Sequence, residues 1–261
     1  MNYFLIKPFI LNSLLIYNIK MSENHFDYNK WLTIFPLEPF KLKLKSLSNA
    51  EPQNARLKPF FSTTFFFQII DITQMFRIIG YILRRLNEDF INLQPLTDFD
   101  GLTVKGSEEL ITDMSLTTLD FTSLIIFLNM LMEKAARLLH SSSTGDKPSN
   151  FSFNDWKEKI SKDKIIVPAT LGEIVSSTPW FDDLRELRVK YVIHHNFSIC
   201  AISEKNEIRI RSSLKDYKEE KLSIEDMQKI SNEVYDFFVT LSGYLCDNVN
   251  TLPIRINTKI N

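Results

Sequence analysis

Apolar residues recur along most of this chain at steps of three and four, the period of a helix, with strand-like alternation confined to one short region. Residues 60–90, FFSTTFFFQIIDITQMFRIIGYILRRLNEDF, are apolar around much of a helical circumference, while Gln68, Asp71, Gln74 and Arg77 recur on one stripe. That pattern predicts a long buried helix with one polar face. A polar loop containing DFDG at 98–101 follows. A second long helix is predicted from about Ser115 to His140, with Lys134, Arg137 and His140 near its C-terminal end, where cations suit the helix dipole. SSSTGDKPSN at 141–150 reads as a linker by composition. Ser152 and Asp155 mark the start of a short helix, and IIVPATLGEIV reads as a connector with one helical turn. Thr178 before Pro179 predicts an N-cap followed by proline at the first helical position, with Asp182 and Asp183 complementing the dipole of a helix that runs on from about residue 179.

After Asn196 the period changes. FSICAIS and EIRIRSS alternate on either side of EKN, which predicts a β-hairpin from about 197 to 213. The charged run KDYKEEK then leads to a capping pair, Ser223 and Asp226. The helix that follows places Ile224, Met227, Ile230, Val234, Phe237 or Phe238, Leu241 and Leu245 on one face. The pattern predicts an all-α protein, a helical bundle of four or more helices with a small β-hairpin insert, over residues 56–250. Residues 21–55 form an N-terminal segment and 251–261 a tail without an assignable element. Residues 1–20 read as an N-terminal extension. Its apolar run from Phe9 to Ile19 is shorter than the roughly 20 residues a spanning helix needs. Met21 opens MSENHFDYNKW like a soluble N-terminus, so two readings stand: translation from Met21, or an amphipathic, membrane-touching segment.

Composition narrows the function classes. The chain has 261 residues, 44% hydrophobic and 24% charged, with a net charge of −1, which suits an ordinary soluble globular protein, and its two cysteines fit the reducing cytoplasm. Near-neutrality argues against bulk electrostatic capture of nucleic acid and leaves room only for a local basic patch. Cys200 and Cys246 have neither metal-ligand spacing nor a disulfide framework. Six glycines against 21 phenylalanines point away from glycine-rich nucleotide folds. No cofactor and no metal are expected.

The candidate chemistry lies in RELRVKYVIHH, residues 185–195. On an unbroken α-helix Arg188 and His195, seven apart, fall nearly on one face, with His194 to one side and Arg185 one turn back. A guanidinium holds phosphate with two donors and stabilises charge on its oxygens, and an imidazole titrating near neutrality moves protons. The pair needs no metal, and no third histidine or cysteine stands at ligand spacing.

The phrase WFDDLRELRVKYVIHHN resembles the signature helix of HEPN-domain proteins, whose mark is an arginine followed after four to six residues by a histidine near a helix end. Here Arg188 pairs with His194, five residues between, or with His195, six between. The position after the arginine, usually polar in that family, is Val189. The resemblance implies a four-helix bundle that forms a homodimer with two such helices facing each other. It also implies a metal-independent endoribonuclease in which the ribose 2′-hydroxyl attacks the adjacent phosphate. Such domains occur in toxin–antitoxin and defence systems, which implies a neutralising antitoxin protein as a partner. Other members are non-catalytic dimerisation or scaffold modules. A membrane-associated helical protein anchored through residues 1–20 is a weaker reading.

Further RNA-contact candidates each have a plainer alternative. Arg185 and Arg188 are able to pair with Asp182, Asp183 or Glu186 as a surface arrangement at helical spacing. Tyr191 projects from the same helix and is able either to donate to phosphate or to bury its ring. Arg209 and Arg211 alternate with isoleucines on one strand of the predicted hairpin, as RNA contacts or as an ordinary exposed edge. One of the two histidines suffices as a cap at the helix C-terminus.

Overall fold

The two long apolar runs become two long antiparallel helices. The structure is a computed structural model that describes residues 28–51, 54–92, 108–146, 152–193, 198–202, 207–212, 219–254 and 257–258. After the short helices α1 (Asn29–Thr33) and α2 (Glu38–Ala50), α3 spans Thr63–Asn92 and α4 spans Glu108–Thr144. Three polar links fix their register. The Gln68 amide donates to Ser141 Oγ at 3.1 Å, Lys134 meets Asp71 at 2.8 Å, and Arg85 grips the buried Asp120 with two donors. Partners rise along one helix as they fall along the other, so the pair runs antiparallel. By length and composition Thr63–Glu88 and Leu116–Thr144 are each long and apolar enough to cross a membrane, and about half of the apolar 18-residue stretch in each lies buried in the protein (44% and 50%).

The remaining elements close around that pair. They are α5 (Phe153–Ser161), β1 (Ile165–Ile166), α6 (Ala169–Ser176), α7 (Trp180–Arg188) continued by a π-turn (Val189–Ile193), strands β2 (Ser198–Ile202), β3 (Glu207–Ser212) and β4 (Glu219–Ser223), helix α8 (Ile224–Asp247), a 3₁₀ turn (Val249–Thr251) and β5 (Asn257–Thr258). The protein is predominantly helical. One continuous core joins Trp31 of α1 and Phe40 of α2 to Phe76 of α3, Leu128 of α4, Phe153 of α5, Phe181 of α7 and Phe238 of α8. The segment 28–51 therefore shares the core of the bundle. The predicted inner face of α8 is buried at Met227, Ile230, Val234, Phe237, Phe238, Leu241 and Leu245.

Several boundaries differ from the sequence reading. Helix α4 does not stop at His140 but runs through the first part of the predicted linker, with Ser141, Ser142 and Ser143 buried. Ser143 Oγ donates to the Leu139 carbonyl at 2.7 Å and Thr144 Oγ1 to that of His140 at 3.0 Å, so the small hydroxyls fold back onto the helix. The stop comes at Gly145, in left-handed conformation at φ +75°, whose N–H returns to the Ser141 carbonyl. The connector at 165–175 carries strand β1 and an eight-residue helix, α6. Thr178 does not cap α7 with its side chain; its hydroxyl donates backward to the Val175 carbonyl at 2.8 Å and closes α6. EEKLS, read as part of a charged lead-in, is a third antiparallel strand: β3 pairs with β2 on one side (Ser198↔Ser212 to Ile202↔Ile208) and with β4 on the other. The tail packs as well, since Leu252 and Ile254 are buried, the Ile254 N–H reaches the Ser142 carbonyl, and β5 pairs with β1.

Two helix-interior glycines are expected to respond oppositely to alanine. A Cβ on Gly80 would lie 2.7 Å from Leu32 Cδ2 and 3.1 Å from Trp31 Cβ, where α1 crosses α3. Gly80→Ala should therefore cost about 1–3 kcal/mol by overpacking. A Cβ on Gly243 of α8 meets nothing within 4 Å, so Gly243→Ala should gain about 0.5–1 kcal/mol of helix propensity. Thermal denaturation of the two variants reads both signs.

Candidate functional site

The signature stretch begins as designed by its local sequence. Trp180, Phe181 and Leu184 are buried on one side of α7, and Asp182 and Asp183 sit in its first turn. The buried Asn129 of α4 donates its amide to the Leu184 carbonyl at 3.3 Å and to its own helix at Ile125, which holds α7 against α4. The α-helix gives way after Arg188 to the π-turn Val189–Ile193, with i to i+5 bonding. Three of its five residues, Val189, Val192 and Ile193, are β-branched, the class that crowds the preceding α-turn. The same-face placement of Arg188 and His195 presumed an unbroken α-period, and that period breaks between them. His194 and His195 lie outside the described residues.

Arg188 is exposed, and its charge reaches Glu133 of α4. Burial is the largest influence on the Glu133 carboxyl and raises its pKa; the Phe153 N–H it accepts, then Arg188 and Arg137, pull the other way. Glu133 is thus a partly buried carboxylate held by a backbone donor at the start of α5, with the charges of Arg188 and Arg137 acting on it. Glu133 was not among the residues expected at the site. Its signal was in MEKAARLLH, where Glu133 stands four residues before Arg137 and hence on the same helical stripe.

The other candidates separate. Arg185 donates to Asn154 Oδ1 at 2.8 Å and lies 3.9 Å from Asp182, so it serves at least as a link between α5 and α7. Tyr191 is buried, edge-on to Phe121 at 5.8 Å. Its ring packs in the core, as the plainer alternative held. Arg209 stands opposite Ala201 and Lys221, and Arg211 opposite Ile199 and Glu219, on the central strand of the sheet rather than on an edge. A cleft of ≈ 670 Å³ opens beside the motif, between α7 with its π-turn and the first turns of α8, lined by Asp183, Glu186, Lys190, Tyr191 and Glu233 among others. Neither Arg185 nor Arg188 lines it. Its carboxylates outnumber its lysines, which disfavours a polyanion there. Among the described residues no three of His, Cys, Asp and Glu come together as metal ligands.

The start of α5 adds a pH-sensitive element beside Glu133. Ser152 and Asp155 form a reciprocal capping box: the Asp155 N–H donates to Ser152 Oγ at 3.1 Å and the Ser152 N–H to Asp155 Oδ2 at 2.8 Å. The backbone and hydroxyl of Ser152 hold the Asp155 carboxyl below its ordinary pKa. With the folded-state pKa depressed, this stabilisation is present above the ordinary Asp range near ~4 and is lost as pH falls through the lower, folded value. Ser152→Ala should cost about 1 kcal/mol at neutral pH and flatten the acid limb of the stability profile.

The fold and this site define a predominantly helical protein with a partly buried carboxylate, Glu133, near the exposed Arg188 of α7. No protein-family model, curated protein or solved structure matches the chain.

Proposed function

We propose that this chain is a HEPN-like, metal-independent endoribonuclease that works as a homodimer, with Arg188 orienting the scissile phosphate and His194 or His195 moving the proton. The observation that carries the reading is Arg188, exposed at the end of α7 six positions before His194, with the Glu133 carboxylate of α4 within reach of its charge. An exposed guanidinium offers its donors to a phosphate. In the reaction the ribose 2′-hydroxyl loses its proton to a base and its oxygen attacks the adjacent phosphorus. The P–O5′ bond breaks, the 5′-oxygen takes up a proton, and a 2′,3′-cyclic phosphate remains. Arg188 stabilises the charge that builds on the non-bridging oxygens. Such an activity fits a toxin or defence role restrained by a neutralising protein.

A second reading, a non-catalytic dimerisation module, is favoured by one observation: Val189 and Ile193 are 43% and 50% exposed, four residues apart beside Arg188. Two apolar side chains on the open side of the signature helix suit a covering surface, in either reading a second copy of the chain.

The test is incubation of the purified protein with single-stranded RNA in EDTA. Cleavage that disappears in a folded, dimeric His194→Ala, His195→Ala double variant supports the nuclease; a stable dimer that never cuts supports the module. Glu133→Gln keeps the acceptor for the Phe153 N–H and removes the charge facing Arg188. Its expected result is reduced cleavage with no loss of thermal stability at neutral pH. A raised folded pKa makes an acid's stabilising contribution greatest at low pH and lost as pH rises through that value, so ionised Glu133 opposes folding at pH 7.

A further inference from the structure

The cleft beside the motif continues into a second groove of ≈ 800 Å³ between α6 and α8, the two sharing Trp180 and Glu233. Together they follow the open side of α8 from Asp226 to Asp247, about 30 Å at the rise of an α-helix. The floor is apolar: Trp180, Tyr191, Ile230, Phe237 and Tyr244 are core residues that keep only 5–8% of their surface, facing a groove they line. The rim is acidic. Asp183, Glu186, Asp226 and Glu233 line the first part, and Glu173, Glu233, Asp236 and Asp247 the second. Against them stand Lys190 and Lys229, both in the first part. Asp236 pairs with Lys30 at 3.8 Å. Glu173, Asp183, Glu186, Glu233 and Asp247 have no ion-pair partner among the described residues.

We infer that this groove along α8 receives a cationic amphipathic helix of another protein, whose lysines or arginines face the acidic rim and whose apolar side packs on Trp180, Phe237 and Tyr244. An apolar floor alone would accept many occupants; the excess of carboxylates selects a positively charged one and repels RNA. The length of about 30 Å matches roughly 20 helical residues. Gly243 contributes to the fit, because the open space above its Cα lets a partner's backbone approach α8 closely.

The experiment measures fluorescence anisotropy of the full chain with a labelled 20-residue lysine–leucine peptide of amphipathic helical pattern, and with the same peptide carrying glutamate for lysine. The lysine peptide should bind at least tenfold more tightly than its glutamate counterpart and weaken as salt rises. Glu233→Lys with Asp236→Lys should weaken it at least tenfold, and Gly243→Phe, which fills open space, should weaken it while the protein melts no lower than wild type. Phe67→Glu, on the exposed side of α3, should leave binding unchanged. Equal binding of both peptides, full binding by the charge-reversed groove or by Gly243→Phe, or loss of binding in Phe67→Glu would each overturn the inference. None of these readings depends on RNA cleavage, so they stand or fall apart from the nuclease proposal.

Discussion

Arg188→Ala is expected to lower RNA cleavage by about 10²–10³-fold, the loss typical when a preorganised donor to a developing oxyanion is removed. The protein should remain folded, within about 0.5 kcal/mol of wild type, because the side chain is exposed and carries no buried contact. Arg188→Lys keeps the charge and gives up the two-pronged geometry, so it should recover only part of the rate. Circular dichroism of each variant beside a single-turnover cleavage assay reads the two quantities separately. Undiminished cleavage by Arg188→Ala removes Arg188 from the site, and unfolding of the variant assigns it a structural role.

Phe76→Ala is expected to cost about 3–5 kcal/mol, the range for deleting a fully buried phenylalanine. Phe76 is 1% exposed and its ring meets Trp31 at 5.0 Å, Tyr235 at 5.7 Å and Phe238 at 5.2 Å, so it joins α1, α3 and α8 at one point. The loss should appear in one cooperative transition that also carries the Trp31 fluorescence, since α1 shares that core. A separate, earlier transition for α1 would show that residues 28–51 form a unit of their own, and a cost below 1 kcal/mol would show that the three helices do not meet there.

What the sequence disclosed follows from how local the controlling physics is. The inner face of α8 and the capping box at Ser152 depend on residues three or four apart, and both were legible. Thr178 has the right composition for an N-cap, yet its hydroxyl was taken by the Val175 carbonyl of a helix that the isoleucine- and proline-containing stretch before it had concealed. Ser141–Ser143 read as linker because serines favour turns, but Gln68 and the Ile254 N–H supply tertiary partners that hold them in a helix. Strand β4 was hidden for a related reason: EEKLS is highly charged, and it pairs because β3 offers it an edge. Arg188 was singled out from its phrase, whereas Glu133 lies 55 positions earlier in the chain and comes within reach of that charge only when α4 and α7 pack. Tyr191 of the π-turn packs against Phe121, a contact between residues 70 positions apart that periodicity does not carry.

The most direct measurement uses a DNA oligonucleotide carrying one ribonucleotide, incubated with the full chain in EDTA and analysed by mass spectrometry. The expected result is a single cut, immediately 3′ of the ribonucleotide, leaving a 2′,3′-cyclic phosphate, with the product reduced by at least about a hundredfold in Arg188→Ala. Cutting elsewhere in the DNA, cutting that needs divalent ions, or an equal yield from Arg188→Ala contradicts it.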